Sequence, residues 1–331
     1  MGLTVPVAEA ILAEHRYKEI KGDVLFIGRQ TSYLDETSLE RLLRKYGLSL
    51  PKNFEYEFDT ETRGAAGQRL ITDRCFMRSL GVERINFLDV TDYEQADIVH
   101  DLGYPVPDSL LDRYDFIYNG GCLDNMFNPG VAITNLSKML RSGGRVICFE
   151  SASSINSPYL MYSPGWFWDY YVVNSFADCK IYVGSFYSGD DLCFGPWDWY
   201  YVNLVGEHNT WQETNGPPPV ARELNHNVIV SVAEKGAAST SDRQPIQLQY
   251  RVDDTLIKEH KDNIAAMRAC PRPIGLGSGP TGSVEQYVTS LGKIGVGIHS
   301  RSFFQRLKKL VHRELRAIKL IIRIVLKRAV V

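Results

Sequence analysis

The sequence predicts an α/β fold: a doubly wound, mostly parallel sheet with an antiparallel end, followed by a C-terminal amphipathic helix. Three observations point there. Asp23–Gly28 (DVLFIG), a continuous apolar run ending in Gly, reads as a buried parallel strand, and Arg84–Asp89 (RINFLD), Tyr114–Asn119 (YDFIYN) and Arg145–Glu150 (RVICFE) read as further strands. Helical segments stand between them, and strands alternating with helices imply a parallel sheet with right-handed crossovers. Finally, the last 31 residues combine a helical apolar stripe with ten Lys/Arg and one Glu.

Element by element, residues 5–20 read as a short amphipathic helix before the first strand. A second helix is expected from about Thr37, where Thr37 and Glu40 have capping-box spacing, Leu39, Leu42, Leu43 and Tyr46 form one face, and Gly47 is the stop. Residues 48–63 are polar and irregular, and Gly67–Leu80 is helical in pattern. Asn128-Pro129 starts a helix that runs to about Arg141, and Gly143-Gly144 turns the chain into the strand at 145–150. Lys180–Phe186, Asp198–Val205 and Asn227–Glu234 are strands in the place of the antiparallel end. The organisation expected is a main domain at 1–236, an irregular and partly helical extension at 237–271, a Gly-rich linker at 272–300 and a basic helix at 301–331.

Charge divides the chain. Residues 1–300 hold 27 Lys/Arg against 38 Asp/Glu, so the formal net charge of −2 conceals an acidic body and a basic end. An acidic body argues against a nucleic-acid groove. Six scattered cysteines without a C-x-x-C pair, and seven widely spread histidines, give no metal site and fit reduced thiols in cytoplasm. The first residues carry no secretory pattern and no run is long and apolar enough to span a membrane. A cytoplasmic protein, peripheral on the inner membrane face, is expected.

Ligands of open parallel sheets bind beyond the carboxyl ends of the strands. Here those positions hold Gly28-Arg29-Gln30, Asp89, Asp101 and Asn119-Gly120-Gly121. A glycine admits close backbone approach, a carboxylate after the second strand accepts two ribose hydroxyls, and a further Asp accepts an adenine amino group.

The run from Tyr93 to Gly144, with "YEQADIVHDLGYPVP", "YDFIYNGGCLDNMFNPGVAITN" and "MLRSGG", resembles the Rossmann-like class I S-adenosylmethionine (SAM) dependent methyltransferases of bacterial glycan and natural-product biosynthesis. "YSPGWFWDYYVVNSF" and "NVIVSVAEK" extend the likeness, which covers about residues 21–235. The resemblance implies SAM as cofactor. It assigns Gly28, Arg29 and Gln30 to the methionine side, Asp89 with Val90 to the ribose, Asp101 with Leu102 to the adenine, and Asn119, Gly120 and Gly121 to the floor beneath the sulfonium. The family's Gly-x-Gly-x-Gly survives only as Gly28, with Gln30 and Ser32 at the later glycine positions. Its Leu-Glu-His becomes Leu123-Asp124-Asn125, which leaves Asp124 as the candidate catalytic base and His100 as the second.

The aromatic cluster Tyr159, Tyr162, Trp166, Phe167, Trp168, Tyr170 and Tyr171 reads either as an acceptor-site lid, with Tyr162 and Trp166 on the substrate, or as core. The activity expected is O-methylation of a glycan or related small polar acceptor. A non-catalytic methyltransferase-like subunit is the alternative; a nicotinamide enzyme ranks below both because Gly-x-Gly-x-x-Gly is missing. In the tail, Phe303, Phe304, Leu307, Val311, Leu315, Ile318, Ile321, Ile322, Val325 and Ala329 fall opposite Lys309, Arg316, Lys319, Arg323 and Lys327. That pattern suits an anionic membrane surface, or else the helix of a protein partner.

Overall fold

The computed structural model describes residues 2–65, 67–153, 158–187, 189–204, 226–247, 253–270, 272–274 and 288–295. The chain divides into two compact units, 1–296 and 297–331. All of the second, including the basic helix expected at 301–331, lies outside the described residues.

The first unit is a nine-stranded sheet of order β3-β2-β1-β4-β5-β8-β6-β7-β9. Its strands are β1 (Asp23–Ile27), β2 (Arg84–Asp89), β3 (Ile98–Val99), β4 (Tyr114–Gly120), β5 (Leu140–Ser151), β6 (Asp178–Phe186), β7 (Trp197–Val202), β8 (His226–Glu234) and β9 (Val288–Ile294). The pairs β1–β2, β1–β4, β2–β3 and β4–β5 are parallel. Beyond β5, every pairing is antiparallel. The fold is therefore the Rossmann-like, mostly parallel sheet with an antiparallel end that the apolar runs predict.

The strands carry side chains to two cores. Leu25, Ile27, Ile117, Val146 and Cys148 point to the face covered by α4 (Pro129–Met139) and α5 (Pro164–Val173). On the other face Phe26 meets Phe87 and Tyr118, and Tyr118 meets Phe149. The first helix, α1 (Val5–Tyr17), is capped by Thr4 and buries every residue from Val5 to Glu14. It is a core helix rather than the amphipathic one expected.

Several boundaries differ from the sequence reading for local reasons. α2 (Glu36–Lys45) starts before Thr37 because Asp35 is its cap, its carboxylate accepting Ser38 N–H at 2.7 Å. α3 is only Asp73–Arg78, since Thr72 caps it and Ile71 is engaged in a bridge with Phe58. β5 begins five residues early, through a bulge opposite Tyr114 and Phe116. After the short α6 (Gly189–Phe194) and β8, α7 (Asp254–Arg268) supplies the helix anticipated in 237–271.

The linker at 272–300 is corrected most. Arg272 and Ile274 are buried, and β9 extends the sheet along β7. Glycine content hid a strand whose partner is distant in sequence, Trp197 pairing with Ile294 and Val202 with Val288.

Candidate ligand-binding cleft

The chain runs from β1 outward through β2 and β3, then returns to β4 and β5 on the other side. Connections on the two sides of β1 therefore leave in opposite directions, which opens a crevice at the carboxyl ends of β1 and β4. A cleft of about 710 Å³ lies there. It is lined by nine of the residues singled out in the sequence: Gly28, Gln30, Asp89, Val90, His100, Asp101, Leu102, Gly120 and Gly121.

Gly28 turns the chain at the end of β1 with φ +70°, a conformation that side-chain-bearing residues rarely adopt. Its N–H donates to Leu88 O at 2.7 Å, so β1 stays clipped to β2 through the turn. A Cβ on Gly28 would stand 3.4 Å from Asp89 Oδ2, so the second oxygen of that carboxylate faces the open side of the glycine. The first oxygen accepts Val90 N–H at 2.6 Å, which fixes the group. Asp101 is exposed and accepts Gly103 N–H at 2.8 Å in an Asx turn. Between these two acids, His100 donates its N–H to Asp89 O at 2.8 Å and sets its ring Nε2 3.2 Å from Tyr104 O.

The loop after β1 is unusual for a nucleotide-binding turn. Gln30 folds back over it, Nε2 donating to Ile27 O at 3.2 Å and Gly28 O at 3.4 Å. The Gln30 N–H donates to Asp73 Oδ2 at 2.7 Å. A backbone donor that would otherwise be available to a phosphate is thus occupied by a carboxylate. Arg29 does not line the cleft: its guanidinium lies against Asp73 and Glu61, Nη1 reaching Glu61 Oε2 at 2.7 Å, and over the Phe87 ring.

Four other expected residues also sit away from the lining. Asn119 is fully buried; its Nδ2 donates to Glu150 Oε1 at 2.5 Å and its Oδ1 accepts Cys122 N–H at 3.2 Å. Asp124 is buried, Oδ2 accepting Ser151 N–H at 3.0 Å and Oδ1 accepting Asn125 Nδ2 at 2.8 Å. The carboxylate expected to face an acceptor instead closes backbone and amide donors. Tyr162 is buried, with its hydroxyl donating to Leu123 O at 2.9 Å, and half-buried Trp166 meets it edge to face in the core. Their aromatic surface serves packing, the core alternative.

Glu150 was not singled out by its sequence, yet it organises the floor. It is completely buried at the end of β5 and accepts Asn119 Nδ2, Leu123 N–H at 3.2 Å and Asp124 N–H at 2.9 Å. Burial first, and then the neighbouring Asp124 carboxylate, push its carboxyl up to about 8 against the pull of those donors. Cys122, Asn125, Met126, Phe127 and Asn128 also line the cleft. They lie in the segment that directly follows the glycines ending β4, which the sequence marked as a whole without assigning these side chains to a ligand. Among the described residues no His, Cys, Asp and Glu cluster has the makings of a metal site.

Neither protein-family models nor curated proteins match the chain. Solved structures similar to it include the 1,6-didemethyltoxoflavin N1-methyltransferase of Burkholderia thailandensis, crystallised with 1,6-didemethyltoxoflavin and S-adenosylhomocysteine. It is 12% identical over 69% of this chain and 76% of that one, with a TM-score of 0.32. A Bacillus halodurans protein described as a methyltransferase is 11% identical over 69% of this chain and 98% of that one, at TM-score 0.38. A Rhodobacter sphaeroides protein described as a zinc-dependent alcohol dehydrogenase is 10% identical over 45% of this chain and 47% of that one, at TM-score 0.25. The activities named differ, and identities this low leave the chemistry of the present chain to its own residues.

Proposed function

We propose that this chain is a SAM-dependent O-methyltransferase acting on a glycan or related small polar acceptor. The observation that carries the reading is the pairing of Gly28 with Asp89 at the switch point, in a loop whose Gln30 N–H is already held by Asp73. Asp89 suits a ribose diol, and Asp101 with Leu102 suits an adenine edge. Because Asp73 occupies the Gln30 N–H, the loop offers one fewer backbone donor to a pyrophosphate, which favours SAM over a nicotinamide dinucleotide.

SAM supplies a methyl group on a sulfonium. The chain's part is to hold donor and acceptor in line, since alignment alone removes much of the barrier of a bimolecular transfer. Gly28, Gly120 and Gly121 let the backbone approach the donor, and Glu150 holds the 123–124 backbone and Asn119 in place beneath it. His100 is the base candidate that lines the cleft. Asp124 is reassigned here to supporting the floor.

Calorimetric titration with S-adenosylhomocysteine and with NAD tests the cofactor: binding of the first and indifference to the second is expected, and the reverse overturns the reading. A second reading, a ligand-binding subunit without turnover, is favoured by the engagement of Asp124 with Ser151. It expects S-adenosylhomocysteine to bind while no acceptor elicits its formation from SAM.

The basic helix expected at 303–331 is proposed to hold the protein on an anionic membrane, where a lipid-linked acceptor would be within reach. No helix among the described residues is long and apolar enough to cross a membrane. Co-sedimentation with anionic vesicles at low salt, comparing the whole chain with one ending at Gly297, tests this. Equal indifference of the two would remove the membrane from the reading.

A further inference from the structure

The loop from β4 to α4 carries an arrangement that a ligand between Asp89 and Asp101 does not use. Phe127 lines the cleft yet is 90% exposed. Tyr159, 69% exposed, meets it edge to face with ring centroids 5.3 Å apart. Both rings stand on fixed backbone. Leu160 N–H donates to Asp124 O at 3.1 Å and Tyr162 N–H to Ser151 O at 2.8 Å, so the segment bearing Tyr159 is tied to the turn that precedes Phe127. Two large rings left this exposed and in mutual contact at a cleft mouth keep apolar surface in water that a ligand would cover.

Asn128 provides an independent observation. It occupies the N-cap of α4 with φ −124° and ψ 68°, but its side chain makes no capping hydrogen bond. An Asn at that position ordinarily stabilises the helix by accepting an N–H of the first turn. Here that stabilisation is forgone and the residue lines the cleft beside Phe127. An amide offers a donor and an acceptor together, as hydroxyl groups require.

Tyr159 does not line the cleft, so the aromatic pair extends outward from the mouth rather than inward toward Asp89. A ligand seated on it is a second molecule beside the one in the cleft. We infer that Phe127 and Tyr159, with the Asn128 amide, form the acceptor seat, and that the acceptor presents a ring with one apolar C–H face and a hydroxylated edge, as a pyranose does. The inference rests on the proposed donor site, and it gives Phe127, Tyr159 and Asn128 the role that sequence assigned to Tyr162 and Trp166. The three are specificity and positioning residues.

The test uses the full chain saturated with S-adenosylhomocysteine and a panel of methyl pyranosides (gluco, galacto, manno and N-acetylglucosamine) at millimolar concentration. Saturation-transfer NMR is expected to show at least one pyranoside receiving magnetisation at its ring C–H protons. Phe127→Ala should weaken that pyranoside about tenfold, the worth of one aromatic face, and Phe127→Tyr should restore it. Asn128→Ala should lower its affinity while keeping the C–H contacts. All three variants should retain the parent's S-adenosylhomocysteine affinity and unfolding temperature. No pyranoside contact, contact unaffected by Phe127→Ala, or a matching loss of S-adenosylhomocysteine affinity in Phe127→Ala would each overturn the inference. A chain that binds a pyranoside through Phe127 but ignores S-adenosylhomocysteine would keep the seat and refute the donor reading instead.

Discussion

Two clusters of charge in this molecule are handled in opposite ways. Beneath α1, Glu14 is gripped by Arg272 through two bonds of 2.6 and 2.7 Å and by Arg145 through one of 2.6 Å, while Arg272 Nε also reaches Asp178 Oδ2 at 2.5 Å. Lys180 completes the set against Asp178. Beyond the carboxyl ends of β2 and β3, Asp89 and Asp101 accept backbone N–H groups and form no ion pair among the described residues. Buried acids that meet guanidiniums serve the fold; acids anchored by backbone and left facing a cleft are available to a ligand. The strand end marks Asp89 in the sequence, but nothing local shows that Glu14 will meet guanidiniums, because that depends on what the fold brings opposite it.

The comparison breaks most readily at Arg272. Arg272→Met should leave Asp178 to Lys180 alone and Glu14 to Arg145 alone, at a cost of about 3–5 kcal/mol in urea unfolding. The folded variant should bind S-adenosylhomocysteine like the parent. A loss below about 1 kcal/mol would mean that Arg145 and Lys180 suffice.

Asp89→Ala should show the reverse: unfolding within about 0.5 kcal/mol of the parent, and S-adenosylhomocysteine binding weaker by about 1.5–3 kcal/mol, the range for hydrogen bonds to a charged group. Unchanged affinity would remove Asp89 from the site.

The finest distinction concerns pH. Burial alone would raise Glu14, and the two guanidiniums overcome it, holding its carboxyl below the ordinary range. Its stabilisation is present above the unfolded value and is lost as pH falls through the folded one. Glu150, raised to about 8, has the opposite sign: its contribution is full below the unfolded value of 4.5 and disappears as pH climbs through the folded one. Between the two values the unfolding free energy should decline by about 1.4 kcal/mol per pH unit from this group. Glu150→Gln should flatten that slope, and an undiminished slope in the variant would place the titration elsewhere.

The parallel strands were legible because β1, β2, β4 and β5 each contain a short, mostly apolar stretch, and the binding positions followed because strand ends are where such sheets take ligands. Side-chain direction was not legible. Asp124 sits in the right loop, but Ser151 N–H, brought alongside by β5, captures its carboxylate. Arg29 lies between two lining residues and turns away because Asp73, 44 positions on, caps its guanidinium. β9 escaped notice for a similar reason: an edge strand with two glycines nearby reads as linker until β7 is seen to pair with it.

The bonds that close α1 also set an order of events during synthesis. Glu9 is buried in α1, and its carboxylate accepts the N–H of Gly295 at 2.7 Å across 286 positions of sequence. Glu14 likewise waits for Arg272, 258 positions later. At about 5–20 residues per second of translation, roughly 15 to 60 s separates the emergence of Glu9 from that of its partner. For that interval α1, buried from Val5 to Glu14 in the finished fold, has no completed sheet to cover it. The nascent chain is then a client for whatever shields apolar helices at the ribosome, and a chain cut before Arg272 would remain one.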